Sequence, residues 1–263
     1  MTPLIEYTLD GRIDRIAVAI ERLRSFCPPE GYWVAFSGGK DSVVLYDLAV
    51  KAGVQFDAHY QVTTVDPPEV IRFIREHYPT VRFERPEQSM WQLVAVNGYP
   101  PTRIARYCCE ELKERGGEGR TVITGVRWAE SVARRKRGMA ELCYKTRRNL
   151  LHPIIDWSDS DVWDYIHQEQ LPYCLLYDEG FKRIGCVMCP MGATRQMERD
   201  ARRWPRIYNA YLRAFDRMIA DCAAKGKPRT WQTTQEVMDW WIYGRKEEHS
   251  DQYSLFGDVK GDE

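Results

Sequence analysis

Two groups of residues in this chain have the types and spacing that do chemistry. The first is Ser37-Gly38-Gly39-Lys40-Asp41-Ser42. Its glycines let the backbone turn tightly and bring N–H groups close to an anion. Lys40 adds a full charge, and the Ser37 and Ser42 hydroxyls can donate hydrogen bonds. A helix starting near Asp41 would aim its positive end at the same point. This is the equipment of a phosphate site; the bland alternative is a strand–turn–helix with no ligand. A Walker A loop is excluded, because that needs four residues between its first glycine and the Gly-Lys pair. The second group is Cys108-Cys109 with Cys186-x-x-Cys189. A C-x-x-C lets two thiolates converge from one tight turn. Thiolates hold iron–sulfur clusters or tetrahedral zinc; a redox pair and plain buried thiols stay open. Cys27, Cys143, Cys174 and Cys222 have no patterned partner and read as structural.

Positioning these residues requires a sheet. Tyr32 to Phe36 reads as a buried strand running into the Ser37 loop. The helix after it places Val44, Leu45, Leu48 and Ala49 inward and ends near Gly53. Further strands are expected at Phe56 to Val62, Val81 to Phe83 and Thr121 to Thr124, the last ending at Gly125. Pro67-Pro68 opens a helix through Tyr78, and Pro100-Pro101-Thr102 precedes a helix carrying Cys108 and Cys109. Gly11 to Ser25 reads as one amphipathic helix with Ile13, Ile16, Ile20 and Leu23 on a single face. The β–α alternation predicts an α/β fold with a doubly wound, mostly parallel sheet. Ligands of such folds sit at the carboxyl ends of the strands, where Ser37 and Gly125 both fall. The expected division is a nucleotide-binding domain over 1–158, a helical region over 159–245 that holds the C-x-x-C, and a flexible acidic tail over 246–263.

Charged residues make up 29% of the 263, with a formal net charge of zero, so bulk electrostatics select no partner. With neither a signal-peptide core nor a long apolar run, the expectation is a cytoplasmic protein with no membrane partner. In a reducing compartment eight cysteines point to metal or redox chemistry more than to disulfides. Arg127 is a candidate phosphate clamp, its planar fork suited to bidentate anion binding; the alternative is a surface arginine pairing with Glu130. Arg134, Arg135 and Arg137 form a basic run just beyond it. Arg195, Arg199, Arg202, Arg203 and Arg206 lie near Trp204 and Tyr208, a mixture suited to phosphate contact and base stacking or simply to a solvated helix face. Trp240-Trp241, with Trp231 and Tyr243, reads as a packing block.

The Ser37–Ser42 loop resembles the pyrophosphatase loop of the N-type ATP pyrophosphatases. That resemblance implies an adenine nucleotide α-hydrolase-like, Rossmann-like fold, with ATP and Mg²⁺ bound, attack on the α-phosphate, and release of pyrophosphate. Thr124-Gly125-Val126-Arg127 with Glu130-Ser131, His152-Pro153-Ile154-Ile155-Asp156-Trp157 with Asp161-Val162-Trp163, Leu171-Pro172-Tyr173 with Leu176 to Gly180, and Ile184-Gly185-Cys186 resemble, in order, segments of the phosphoadenylyl-sulfate (PAPS) reductase-like branch. The implied nucleotide-binding residues are Ser37, Gly38, Gly39, Lys40, Asp41, Ser42, Gly125 and Arg127, with Lys40 and Arg127 catalytic. Cys108, Cys109, Cys186 and Cys189 resemble the [4Fe–4S] ligand set of adenylyl-sulfate reductases, with Zn²⁺ the alternative.

Two features depart from the reductases. Their loop usually lacks the lysine, whereas Lys40 is present. Their catalytic cysteine lies in a Glu-Cys-Gly-x-His context near the C-terminus, whereas no cysteine follows Cys222. A reductase-like body with an intact ATP loop and four such cysteines resembles the ATP pyrophosphatases of DNA phosphorothioation systems (Dnd/Ssp type). That implies an acceptor in DNA or RNA, held by Arg134, Arg135 and Arg137, and a cysteine desulfurase as sulfur donor. In the tail, Gln252, Leu255 and Phe256 resemble the peptide that docks on the DNA sliding clamp. A sulfonucleotide reductase and a non-catalytic nucleotide-binding subunit remain the alternatives.

Overall fold

The computed structural model describes residues 4–8, 11–143, 147–226 and 230–244. The chain opens with an antiparallel pair, β1 (Ile5–Thr8) and β2 (Gly11–Asp14). Helix α1 is Arg15–Ser25, because the Asp14 side chain accepts hydrogen bonds from the Ile16 and Ala17 amides and caps it there. The expected single helix from Gly11 is therefore corrected: its first four residues pair with β1, and Ile13 is 40% exposed.

The Ser37–Ser42 loop joins β3 (Tyr32–Ala35) to α2 (Lys40–Ala52). Val44, Leu45, Leu48 and Ala49 of α2 are fully buried, and the helix ends on Gly53 in the left-handed region, as the sequence predicts. Then follow β4 (Phe56–Gln61), α3 (Pro68–His77) and β5 (Arg82–Glu84). Next come α4 (Met90–Asn97), α5 (Tyr107–Leu112) and β6 (Thr121–Ile123). Two strands not expected from the sequence, β7 (Ala140–Cys143) and β8 (Arg148–Leu151), complete the sheet. The remaining helices are α6 (Asp159–Gln168), α7 (Thr194–Arg203), α8 (Pro205–Ala224) and α9 (Thr234–Tyr243).

Among the described residues the main sheet has six strands in the order β5-β4-β3-β6-β8-β7. All neighbours are parallel except β7 and β8. From β3 the chain winds outward through β4 to β5, then crosses back to lay β6 on the other side of β3. Strand order therefore reverses between β3 and β6, and a crevice opens beyond their carboxyl ends. Alternation along β3 separates the two faces. Tyr32 is buried against α1, its hydroxyl donating to the Leu23 carbonyl at 2.9 Å. Trp33 faces the opposite way, under the β5-to-β6 crossover, where Gly116 and Gly117 lie against its ring.

Arg22 of α1 grips the Asp156 carboxylate with two bonds of 2.8 Å and also donates to the Pro153 carbonyl. This clamps the segment that leads into α6. Burial acts to raise the Asp156 pKa, but the Arg22 bonds outweigh it and hold the carboxyl below its usual range. Trp241 is a packing residue, as expected, tilted against Tyr211 and edge-on to Phe215, with its indole N–H donating to the Pro101 carbonyl. No helix of the described residues is long and apolar enough to cross a membrane.

Candidate functional site

The loop between β3 and α2 closes on itself. The Ser37 amide and hydroxyl both lie 3.2 Å from the Ser42 oxygen, and the Ser42 hydroxyl donates to the Gly39 carbonyl at 2.8 Å. Gly38 has φ 72°, and a Cβ there would come within 3.1 Å of Ile74 and Val70 on α3, so the position requires glycine. Helix α2 starts at Lys40 with no side-chain cap. Instead the Tyr177 hydroxyl accepts from the Lys40 amide at 2.9 Å. An oxygen thus already occupies the helix N-terminus, the place a phosphate oxygen would take.

Lys40 and Arg127 converge on one carboxylate. Lys40 Nζ lies 2.7 Å and Arg127 Nη2 2.9 Å from Asp159 Oδ1. Arg127 Nε also donates to Asp41 Oδ1 at 2.7 Å, and Nη1 donates to the Trp157 carbonyl at 3.2 Å. Lys40 is 4% and Arg127 2% exposed, whereas the Asp159 side chain is 69% exposed. Two buried cations therefore hold an anion at the solvent edge. Burial acts to raise the Asp159 pKa, but Lys40 and then Arg127 outweigh it and keep the carboxyl below its usual range. The proposed surface pairing of Arg127 with Glu130 is not what forms. Glu130 accepts from the Arg127 backbone amide at 3.0 Å and pairs its other oxygen with Arg134. Gly125 belongs to the same corner: a Cβ would meet the Asp41 backbone at 3.0 Å, so only glycine lets β6 end this close to α2.

Beside these groups lies a hollow of about 360 Å³, lined by Ser37, Thr124, Arg134, Lys182 and Arg183 as well as Lys40 and Arg127. A second hollow of about 150 Å³ adjoins it on the sheet face of Trp33, sharing Ala35, Ser37, Lys113 and Ile184. Its floor is an aromatic pair: the Trp33 and His59 rings stack at 3.3 Å and 5°. His59 is fixed by Glu84 at 2.7 Å and by Asp57. The first hollow is cationic and suits phosphates; the second has a flat aromatic floor that suits a ring.

The two cysteine pairs meet at the rim of this crevice. The Val187 amide donates to the Val65 carbonyl at 2.9 Å, and Cys186 Sγ lies 3.4 Å from Thr63 Oγ1, tying the C-x-x-C to the loop after β4. Arg103, upstream of Cys108, donates to the Pro190 and Gly192 carbonyls at 3.1 and 2.8 Å, just past Cys189. All eight cysteines are free thiols. Cys108 is raised by its hydrogen bond with Cys109, by burial, and by the charges of Cys109, Cys186 and Cys189. Cys109 is lowered by that same bond and then by Arg106 and Lys113. Lys113 is raised, first by the charge of Cys186. The four thiols thus share one electrostatic environment, with two cations beside them. Among the described residues no three His, Cys, Asp or Glu side chains converge tightly enough to hold a single metal ion.

Of the basic run, Arg134 lines the larger hollow and pairs with Glu130, and Arg137 pairs with Glu141 at 3.1 Å. Arg135 is exposed, with no ion pair among the described residues. Arg199 stacks on Phe181 at 3.5 Å, and Arg203 bridges Glu69 and Glu179, so these two serve packing. Gln252, Leu255 and Phe256, with the whole 246–263 tail, lie outside the described residues. Sequence reasoning missed Asp159, Tyr177 and Lys113 as site residues.

Residues 31–192 match the phosphoadenosine phosphosulfate reductase domain. The chain is 33% identical over 193 residues to an uncharacterised protein of Methanocaldococcus jannaschii, covering 68% of this chain and 40% of that protein. A second uncharacterised protein of the same organism is 29% identical over 220 residues, and this chain spans 52% of it. The chain thus spans about half the length of these curated relatives. An adenosine 5′-phosphosulfate reductase 2 of Bacillus subtilis is 29% identical over 210 residues, covering 74% of this chain and 86% of that enzyme. The solved structure of a Candida auris phosphoadenylyl-sulfate reductase, a phosphate complex, aligns with TM-score 0.52 at 21% identity over 65% of this chain and 89% of that one, a likeness of fold. Sheet, crevice and sequence agree: the chain belongs to the phosphoadenosine phosphosulfate reductase domain family, a family of nucleotide-binding enzymes.

Proposed function

We propose that the crevice binds ATP with Mg²⁺ and transfers its adenylyl group to an acceptor during sulfur incorporation. The observation that carries this reading is the pair of buried cations, Lys40 and Arg127, closed on the exposed Asp159 carboxylate at the N-terminus of α2. An ATP phosphate would take over the place of Asp159 and the donor now given to Tyr177. The adenine ring would enter the adjoining hollow over Trp33 and His59. Asp41, one residue on from Lys40, is a carboxylate oxygen donor suited to Mg²⁺ alongside phosphate oxygens. An acceptor oxygen then attacks the α-phosphorus, the bond to the β-phosphate oxygen breaks, and pyrophosphate leaves. Lys40, Arg127 and the α2 amides stabilise charge that builds on phosphate oxygens, from fixed positions that need no reorganisation.

Cys108, Cys109, Cys186 and Cys189 would hold a [4Fe–4S] cluster. Their shared environment fits such a group, since Arg106 and Lys113 offset the charge of the thiolates. Bound there, a cluster supplies electron transfer beside the nucleotide. The favoured acceptor is a DNA backbone phosphate (phosphorothioation), with sulfur from a cysteine desulfurase. The exposed Arg135 and the cleft-lining Arg134 support a polyanionic acceptor.

The test is pyrophosphate release from ATP, paired with ATP affinity of Lys40→Ala by calorimetry. The variant should bind more weakly by ~1.5–3 kcal/mol, the worth of a charge-assisted phosphate contact. Equal affinity in both proteins would remove Lys40 from the site. A second reading, reduction of adenylyl sulfate, is favoured by the likeness to the Bacillus subtilis reductase over 86% of that enzyme. Sulfite release from adenylyl sulfate without pyrophosphate release from ATP would establish it instead.

A further inference from the structure

The C-x-x-C turn is held in a conformation its sequence does not favour. Met188, its third residue, has φ 57° and is fully buried. A non-glycine residue reaches that left-handed region only when its surroundings compel it. The compelling group is on α7. Asp200 Oδ2 accepts from the Met188 amide at 3.0 Å, and Asp200 is 2% exposed. Its Oδ1 is buried with no hydrogen-bonding partner among the described residues. A carboxylate this deep is costly, and the Arg199 charge offsets only part of that cost. Packing gives no reason for an acid there, and an apolar side chain would avoid the cost. The amide of Met188 gives one. On the other side of the turn, the Val187 amide is already committed to Val65.

We propose that Asp200 is a positioning residue for the four-cysteine site: it locks Met188 in the left-handed conformation that turns Cys186 and Cys189 toward Cys108 and Cys109. The inference rests on the cysteine-site reading above. Asp200 acts through the turn, by its bond to the Met188 amide. Asparagine can supply the same carbonyl acceptor, alanine cannot, and a glycine at 188 reaches φ 57° without help.

The experiment uses the full chain, purified without oxygen, as wild type, Asp200→Asn, Asp200→Ala, and Asp200→Ala with Met188→Gly. Iron per chain is measured first. Cys186 and Cys189 are then alkylated with iodoacetamide after iron removal and followed by mass spectrometry. Asp200→Asn should keep wild-type iron. Asp200→Ala should lose iron and alkylate about five- to tenfold faster, the effect of one lost buried hydrogen bond. The added glycine should restore both readouts. Iron-free wild type would overturn the cluster reading, and the alkylation rates would still decide the role of Asp200. Wild-type alkylation in Asp200→Ala, or no recovery with glycine at 188, overturns the proposal.

Discussion

Asp159→Asn should tighten ATP binding while destabilising the free protein. In the free protein the Asp159 carboxylate holds Lys40 at 2.7 Å and Arg127 at 2.9 Å. Each such bond to a charged group is worth ~1.5–3 kcal/mol where water is excluded. The Asp159 side chain is 69% exposed, so solvent screening reduces the pair to the exposed-bridge range, together about 1 kcal/mol. ATP has to displace this carboxylate before its phosphates reach the two cations. Removing the charge lifts that competition, so affinity should rise about fivefold at low salt. The free variant should melt about 2–4 °C lower, and the ATP-induced rise in Tm should be larger than in wild type. The pH dependence has a definite sign. A carboxyl held below its ordinary value of 3.8 contributes stability above that pH, and the contribution is lost as pH falls through the lower folded value. The stability gap between wild type and variant should therefore be constant near neutrality and close below about pH 4. Calorimetry with ATP and thermal melts over pH 3 to 7 read both effects. Weaker ATP binding in the variant would refute the argument, because Asp159 would then serve the ligand rather than stand in its place.

Replacing any one of Cys108, Cys109, Cys186 and Cys189 by serine should abolish an iron content of about four per chain and the associated brown colour. Stoichiometric zinc with no visible absorption in oxygen-free protein would decide for a Cys₄ zinc site. If DNA is the acceptor, binding should weaken steeply with salt, and the triple alanine variant at Arg134, Arg135 and Arg137 should flatten that slope. Arg134 and Arg137 are already paired with Glu130 and Glu141, so Arg135→Ala alone should account for most of the change, about one unit of slope. Filter binding at several salt concentrations checks this, and an unchanged slope in the triple variant would remove the run from the interface.

The strand–loop–helix around Ser37–Ser42 is legible because its signals are local. Paired glycines, a lysine and flanking apolar periodicity all act within a few residues, and β3 and α2 follow from them. Arg127 stands out in the sequence, but its partners do not. Glu130 sits at the right spacing for a surface pair, yet burial of the guanidinium depends on Asp41 and Trp157, which no local pattern links to it. Asp159 was hidden for a similar reason. It opens α6 between Ser158 and Asp161, which form a capping box, so an acid there looks like ordinary helix-start chemistry. Helix α4 has a start that its sequence carries, the Ser89–Gln92 capping box. Strands β7 and β8 had none: each is four residues long, carries a charged residue, and is stabilised by pairing with its neighbours.

The topology also explains why a phosphate loop and four cysteines share one crevice. Reversal of strand order between β3 and β6 leaves the carboxyl ends of both without a covering crossover, so Ser37 and Thr124 face one opening. The C-x-x-C is tied through Val65 and Thr63 to the end of β4, which pairs with β3. Cys108 and Cys109 sit on α5 within the crossover that must span from β5 to β6, and that crossover passes over Trp33. Both cysteine pairs are therefore delivered to the rim by the same connections that form it. Lys113, four residues past Cys109, lines both hollows, and the charge of Cys186 favours its protonated form. On the proposed reading, a change of charge at the thiols acts on a cation beside the nucleotide.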